Sequence, residues 1–231
     1  MKTIGLLGGM SWESTASYYQ LINTGVNQAL GGLHSAKIVL YSVDFQEIAE
    51  FQQQNQWAQS AALLAQAAKA VELAGADFVL LCTNTMHKVA ADIERAMSIP
   101  LLHIADATAE CLVKQGINKV GLLGTRFTME QDFYKGRLTE RFGIEVIVPT
   151  APQRDLVHRV IYEELCQGHI RDNSREQYIE IINDLYQAGA QAVILGCTEI
   201  GLLVGQQDVE VPLFDTTKIH AAAAVLNEIE R

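Results

Sequence analysis

The sequence predicts an α/β protein of two pseudo-symmetric domains, each a mostly parallel sheet flanked by helices, with an active site in the cleft between them. Three observations carry this. Short apolar runs alternate with amphipathic stretches along all 231 residues. Hydrophobic residues make up 49% of the chain but aromatics only 7%, the aliphatic balance of parallel strands buried on both faces. And the chain repeats itself.

The strand candidates are Thr3–Leu7, Ala36–Val43, Asp77–Cys82, Leu101–His103, Val120–Leu123, Glu145–Val148, Ala192–Gly196 and Val211–Phe214. Helical periodicity fills most gaps, notably Trp57–Ala74, Thr128–Phe142, Arg154–Gln167 and Arg175–Ala188. Gly and Pro sit mostly at element ends, and no low-complexity linker interrupts the pattern.

The repeat is visible in three blocks. Ile4-Gly5-Leu6-Leu7-Gly8 matches Val120-Gly121-Leu122-Leu123-Gly124 at an offset of 116 (121 − 5). Ala74 to Thr83 matches Ala188 to Cys197 at 114 (188 − 74), and Ile99-Pro100-Leu101-Leu102 matches Val211-Pro212-Leu213-Phe214 at 112 (212 − 100). Three matches in one order, at nearly one offset, predict two similar α/β units. The Ile-Pro and Val-Pro segments read as crossovers, giving a first domain of residues 1–98 plus 211–231 and a second of 99–210. In the second block Thr83 falls opposite Cys197, each at the C-terminal end of a buried strand. Open α/β sheets bind ligands at that edge, so units facing across a cleft would present the two residues from opposite sides.

Charge and cysteine usage exclude several function classes. The formal net charge is −10 and no Lys/Arg cluster forms, so neither nucleic acid nor an anionic membrane surface is expected as a partner. No segment approaches the roughly 20 apolar residues of a membrane span, and the opening run Thr3–Leu7 is too short for a signal peptide, which points to a cytoplasmic protein. The four cysteines are far apart, without a C-x-x-C pair or a His at zinc-ligand spacing, so free thiols and no metal are expected. Cys82, Cys111 and Cys166 read as small buried hydrophobes.

Motifs at the strand ends supply the candidate site. Gly5 to Ser11 runs from a strand into a Gly-rich turn without G-x-G-x-x-G spacing, and so reads as a tight βα turn rather than a dinucleotide loop. Ser11 and Ser14 are candidate caps, and free N–H groups near Met10 suit a carboxylate. Gln52-Gln53-Gln54 reads as a loop or cap at the same edge, bringing Gln52 toward the cleft. Thr83-Asn84-Thr85 offers hydroxyls and an amide to an anion, or caps a helix. His87, one turn further on, is expected to pack or hydrogen-bond locally. Cys197, after Gly196 at a helix start, is expected to have its thiolate stabilised by the helix dipole. Thr198 adds a donor, and Glu199 is a helix cap or an amino-group ligand. Thr125, at a turn equivalent to that of Gly9, is a carboxylate contact or a turn residue. Glu163-Glu164 reads as a solvated helix face.

Taken together, G-L-L-G-G-M-S-W-E-S-T (Gly5 to Thr15), T-N-T-M-H (Thr83 to His87) and G-C-T-E-I (Gly196 to Ile200) resemble the Asp/Glu racemase family essentially end to end. The resemblance implies two pseudo-symmetric α/β domains, no pyridoxal phosphate or metal, frequent homodimers, and one catalytic residue per domain, usually both Cys. Here the first position holds Thr83, with Cys82 one place early and turned by that slip to the other strand face. A Thr/Cys pair resembles the L-aspartate/glutamate-specific branch. The Arg and Lys with which two-Cys aspartate racemases hold their substrate have no counterpart in Val43-Asp44-Phe45-Gln46 or Glu163-Glu164-Leu165-Cys166.

The expected function is therefore racemisation of L-aspartate and L-glutamate without a cofactor. Two groups remove and return the α-proton on opposite faces: Cys197 as base toward the L-enantiomer, Thr83 as donor on the far side. Met10, Gln52, Asn84, Thr85, Thr125, Thr198 and Glu199 are the candidate substrate contacts, several through their backbone. The alternatives are a broad-specificity amino-acid racemase, a maleate isomerase-like or decarboxylase-like relative, and a non-catalytic amino-acid-binding protein.

Overall fold

A computed structural model describes residues 1–229. It contains β1 (Thr3–Gly8), α1 (Trp12–Leu30), β2 (Lys37–Ser42), α2 (Phe45–Gln53), α3 (Trp57–Leu73), β3 (Phe78–Leu81), α4 (Ala90–Ala96), β4 (Leu101–Leu102) and α5 (Ile104–Lys114). The second half follows the same alternation: β5 (Lys119–Gly124), α6 (Arg126–Glu130), α7 (Asp132–Phe142), β6 (Glu145–Ile147), α8 (Ala151–Glu163), α9 (Asp172–Gln187), β7 (Ala192–Gly196), α10 (Ile200–Leu203), β8 (Leu213–Asp215) and α11 (Thr216–Ile229). No helix among the described residues is long and apolar enough to cross a membrane.

The strands form two four-stranded parallel sheets, ordered β2-β1-β3-β4 and β6-β5-β7-β8. The register repeats as well as the order. Gly5 lies beside Val79 in the first sheet and Gly121 beside Val193 in the second. A Cβ built on either glycine would meet the neighbouring valine methyl at 3.2 Å. The two central strands of each sheet therefore approach closely at the same place, and the glycines of the sequence repeat are what permits it.

The first unit comprises Met1–Ile104 and the segment from His220 onward; the second comprises Ala105–Ile219. These divisions fall later than the expected ones at 98/99 and 210/211. The reason is pairing: β4 hydrogen-bonds to β3 and β8 to β7, so each Pro-led strand completes the sheet before it rather than opening the next unit. The chain passes between units inside α5 and α11.

In the first unit, side chains alternate across the sheet as strand geometry requires. Leu7, Val79 and Leu81 pack with Ile48 of α2, Leu64 and Val71 of α3 and Ile93 of α4. Ile4, Leu6, Leu80 and Cys82 pack on the opposite face with Tyr18, Ile22 and Val26 of α1 and with Ala221, Ala224 and Val225 of α11. The second unit buries Leu123, Val193 and Leu195 against Val157, Val160 and Ile161 of α8 and Ile181, Ile182 and Leu185 of α9. Each such aliphatic side chain contributes about 1.5–3 kcal/mol by leaving water.

Local details differ from expectation for identifiable reasons. The helix expected over Thr128–Phe142 is broken at Gln131, whose extended backbone (φ −91°, ψ 155°) ends α6 and starts α7. Apolar spacing is continuous across that residue, so periodicity alone hides the break. Helix α8 starts at Ala151 rather than Arg154, because Gln153 Oε1 accepts the Thr150 N–H at 3.1 Å and Pro152 suits a first turn. Of the Gln52-Gln53-Gln54 segment, expected as a loop or cap, only Gln54 lies outside the helix, as the C-cap of α2. Gln52 lies within α2 and is buried.

Candidate active site

In the first unit β1 ends in Gly8-Gly9. Gly9 has φ +94°, and a Cβ there would lie 2.2 Å from the Val43 carbonyl oxygen, so only glycine fits. Its N–H donates to Thr15 Oγ1 at 2.8 Å, and the Thr15 hydroxyl donates to the Ser11 carbonyl at 2.9 Å. Ser11 caps α1, its side chain accepting from the Ser14 N–H at 3.4 Å. Met10 is buried in the same apolar cluster as Leu7 and Met86. Gln52 reaches that cluster from α2, donating to Met86 Sδ at 3.0 Å.

The neighbouring strand β3 ends just before Cys82, and Leu7 is in register with Leu81, so the segments following both strands lie side by side. Thr83, Asn84 and Thr85 are all buried there. The unit thus brings Met10, Gln52, Thr83, Asn84 and Thr85 to one sheet edge. Asn84 occupies the N-cap position of a 3-10 helix over Thr85–Val89, but its side chain makes no capping bond. Instead His87 Nδ1–H donates to the Thr83 carbonyl at 2.8 Å, the local bonding expected for that histidine. Cys82 is fully buried among the residues packed against α1 and α11, and burial pushes its thiol far above the usual range.

The second unit repeats the plan. Thr125 is the N-cap of α6, its hydroxyl accepting from the Thr128 N–H at 3.3 Å. It therefore corresponds to Ser11 rather than to Gly9: Ser11/Ser14 and Thr125/Thr128 are cap pairs separated by 114 (125 − 11), the same offset as Thr83 and Cys197 (197 − 83). Gly124 and Gly196 are in register, and a Cβ on Gly124 would come within 2.8 Å of the Gly196 carbonyl. Cys197, Thr198 and Glu199 follow directly. The Cys197 thiol donates to Glu199 Oε2 at 3.0 Å, and Thr198 Oγ1 donates to the same oxygen at 2.7 Å.

This geometry corrects two expectations. Glu199 makes no capping hydrogen bond to α10; its buried carboxylate is turned to the thiol and hydroxyl beside it. Nor is the Cys197 thiolate favoured as the fold stands. Burial raises the thiol well above its ordinary value, and the adjacent Glu199 carboxylate and Cys166 raise it further. The helix that follows has four residues, too short for its dipole to offset this. Tyr162 and Tyr178 are likewise pushed up, first by burial and then by the nearby thiols and carboxylates.

Two further residues, one at the strand-end edge of each unit, were not singled out in the sequence. Thr15 holds the Gly9 turn, although it lies inside the first motif. Thr217, just after β8, is buried with no hydrogen-bond partner for its hydroxyl; its position after the third repeated block was the available signal. Among the described residues no group of three or more His, Cys, Asp or Glu could hold a metal ion.

Two parallel sheets of equal order, each carrying a proton-bearing side chain at the same strand end, define a duplicated α/β protein with racemase architecture. The chain belongs to the Asp/Glu/Hydantoin racemase family, whose pattern it matches over residues 7–224. It is similar over its full length to a Yersinia pestis protein crystallised as a candidate Asp/Glu racemase, at 58% identity, 100% coverage of both chains and a TM-score of 0.93. It is also similar to an aspartate racemase homologue from Pyrococcus horikoshii OT3, at 37% identity, 100% coverage of both and a TM-score of 0.85. A broad specificity amino-acid racemase, RacX of Bacillus subtilis (strain 168), is 26% identical over 155 residues, 67% of this chain and 66% of that protein. The match to the Aquifex pyrophilus glutamate racemase spans 48% of that protein's length.

Proposed function

We propose that the protein is an amino-acid racemase that acts on L-aspartate and L-glutamate without a cofactor, using Cys197 and Thr83 as its two proton-transferring groups. The observation that carries this reading is the equivalence of the two residues: each follows the third strand of its unit, at a common offset of 114 that the cap pairs share. A two-base reaction needs one proton carrier on each face of Cα, and a duplicated unit supplies two equivalent positions.

The chemistry proceeds in balanced steps. The substrate carboxylate is held by N–H and hydroxyl donors at the strand ends, with Met10, Gln52, Asn84, Thr85, Thr125 and Thr198 as its contacts. The substrate ammonium is attracted to Glu199. The Cys197 thiol proton moves to the Glu199 carboxylate along their existing hydrogen bond, leaving a thiolate and a neutral acid. The thiolate takes the α-proton of the L-enantiomer, and the Cα–H electron pair passes into the enolate. In a concerted step Thr83 then delivers its hydroxyl proton to the opposite face while taking one from a water molecule, and Glu199 returns its proton to the hydroxide so formed, restoring the starting protonation states. Delivery through a hydroxyl suits Thr, which cannot serve as a stable alkoxide at neutral pH. The reading requires neither metal nor pyridoxal phosphate, so EDTA and hydroxylamine should leave the rate unchanged.

Following α-hydrogen exchange and chirality together in D2O tests it. L-aspartate and L-glutamate should exchange faster than they racemise, and Cys197→Ser should stop both processes. Equal washout from both enantiomers, or turnover by Cys197→Ser, overturns the assignment. A broad-specificity racemase is the second reading, favoured by the absence of Arg or Lys from Val43–Gln46 and Glu163–Cys166 and by the resemblance to RacX; a chiral panel of amino acids separates the two. The four free cysteines suit a reducing compartment, and we place the enzyme in the cytoplasm. We also infer that it is a homodimer.

A further inference from the structure

Three buried imidazoles stand together in the first unit. The rings of His87 and His103 are 4.4 Å apart between centroids, and those of His87 and His220 are 6.1 Å apart. Their partners fix two of the tautomers. A carbonyl can only accept, so His87 carries its proton on Nδ1, which donates to the Thr83 carbonyl at 2.8 Å; its Nε2 is left to accept the Ile104 N–H at 3.2 Å. His220 is bound the other way round, with Nε2–H donating to the Leu102 carbonyl at 2.8 Å and Nδ1 accepting from the Tyr18 hydroxyl at 2.8 Å.

The placement of these bonds along the chain is informative. Ile104 is the last residue before the chain leaves the first unit, and His220 is the residue at which it returns. His87 therefore joins two points with one rigid ring: the backbone of Thr83 and the amide at the exit. Desolvating an imidazole costs free energy unless both nitrogens are bonded, and a plain turn-closing role at Thr83 would need only one of them.

We propose that His87 is a positioning residue for Thr83, its Nδ1–H holding the Thr83 carbonyl and its Nε2 anchoring the ring to the Ile104 amide. This rests on the reading of Thr83 as the proton donor. His87 exchanges no proton with the substrate. It fixes the peptide on which the Thr83 hydroxyl is carried, and proton delivery depends on geometry at the level of an ångström.

Two substitutions take the ring apart. His87→Asn keeps an amide N–H near the place of Nδ1 and removes the Nε2 acceptor. His87→Gln puts an amide oxygen near the place of Nε2 and removes the donor to Thr83. The readout is the ratio of α-hydrogen exchange to racemisation for L-aspartate in D2O, because exchange needs Cys197 alone and racemisation needs Thr83 as well. His87→Gln should raise the ratio about tenfold, as a misplaced donor would, while His87→Asn, which keeps the bond to Thr83 and loses only the anchor, should raise it by less, about threefold. Melting temperature, measured on both, should fall similarly.

Equal loss of exchange and racemisation in both variants would mean a purely structural residue and overturn the proposal. Thr83→Ala separates the two levels of the argument. If it leaves the ratio unchanged, the reading of Thr83 fails; if it raises the ratio and His87→Gln does not, only the role of His87 fails. Should either His87 variant not fold, ¹⁵N spectra of the unaltered protein decide: an Nε2–H tautomer at His87 overturns the proposal, and an Nδ1–H tautomer supports it.

Discussion

The Cys197 thiol is hydrogen-bonded to Glu199 Oε2 across 3.0 Å, and the carboxylate that receives the bond also raises the thiol pKa after burial has raised it. Burial and Glu199 together hold the thiol above its ordinary pKa, and in the proposed mechanism the same carboxylate accepts the thiol proton once the substrate ammonium is bound.

Glu199→Gln should therefore separate these effects. Removing the carboxylate lowers the Cys197 pKa, so the pH midpoint of thiol alkylation by iodoacetamide moves to lower pH. Racemisation should nevertheless fall by at least about tenfold, since the proton acceptor is gone. An alkylation midpoint that stays put or rises would show that Glu199 does not govern the thiol.

His220 gives the fold an acid limit. Burial lowers its pKa from 6.5 to about 4, the bond to the Leu102 carbonyl opposing this only in part. A depressed histidine is held neutral in the fold, so its contribution is fully present above pH 6.5 and is lost as the pH falls toward 4. The loss is on the order of 3 kcal/mol at a shift of this size. Urea unfolding between pH 7 and 4 should show it, and His220→Gln should flatten that slope.

Gly9→Ala should destabilise the first unit by on the order of 3 kcal/mol, because positive φ and a backbone oxygen 2.2 Å from the added carbon leave no room to relax. Thermal unfolding checks this. A melting temperature within a degree or two of the parent would show that the Gly8-Gly9 turn is not the tight junction described.

The proposed homodimer should form through α1 and the edge strand β2. From Trp12 to Ser42 only Glu13 and Lys37 are charged, in a chain whose formal net charge is −10. Trp12, Tyr19 and Leu30 are exposed at helical spacing on α1, and Leu40 and Tyr41 are exposed on β2. A second copy can cover such a surface without bringing like charges together, and it would also cover an open sheet edge. Sedimentation should give twice the chain mass, and Tyr19→Glu with Leu30→Glu should shift it to the monomer. A wild-type monomer at micromolar concentration contradicts this.

Much of the architecture was legible because its signals are local. Strand Ala192–Gly196 was readable to the residue, since five apolar positions end at a glycine. The likeness of Gly5 and Gly121 exposed the duplication, because close packing against a valine forces the same residue at both places. The break at Gln131 escaped, as did the membership of β4 and β8, for complementary reasons. Periodicity does not register one extended residue between two compatible helices, and nothing local says which sheet a two- or three-residue strand will join.

By itself the sequence determined the fold class, the repeat and the candidate pair Thr83 and Cys197, because alternation, glycine spacing and strand-end chemistry are written in neighbouring residues. Tertiary structure alone decided that the Cys197 thiol faces Glu199 and is raised above its ordinary pKa by burial, that Gln52 sits in a helix, and that His87 joins Thr83 to the chain's exit. These depend on desolvation and on contacts whose partners are fixed only when the chain is folded, and no pattern along the chain encodes them.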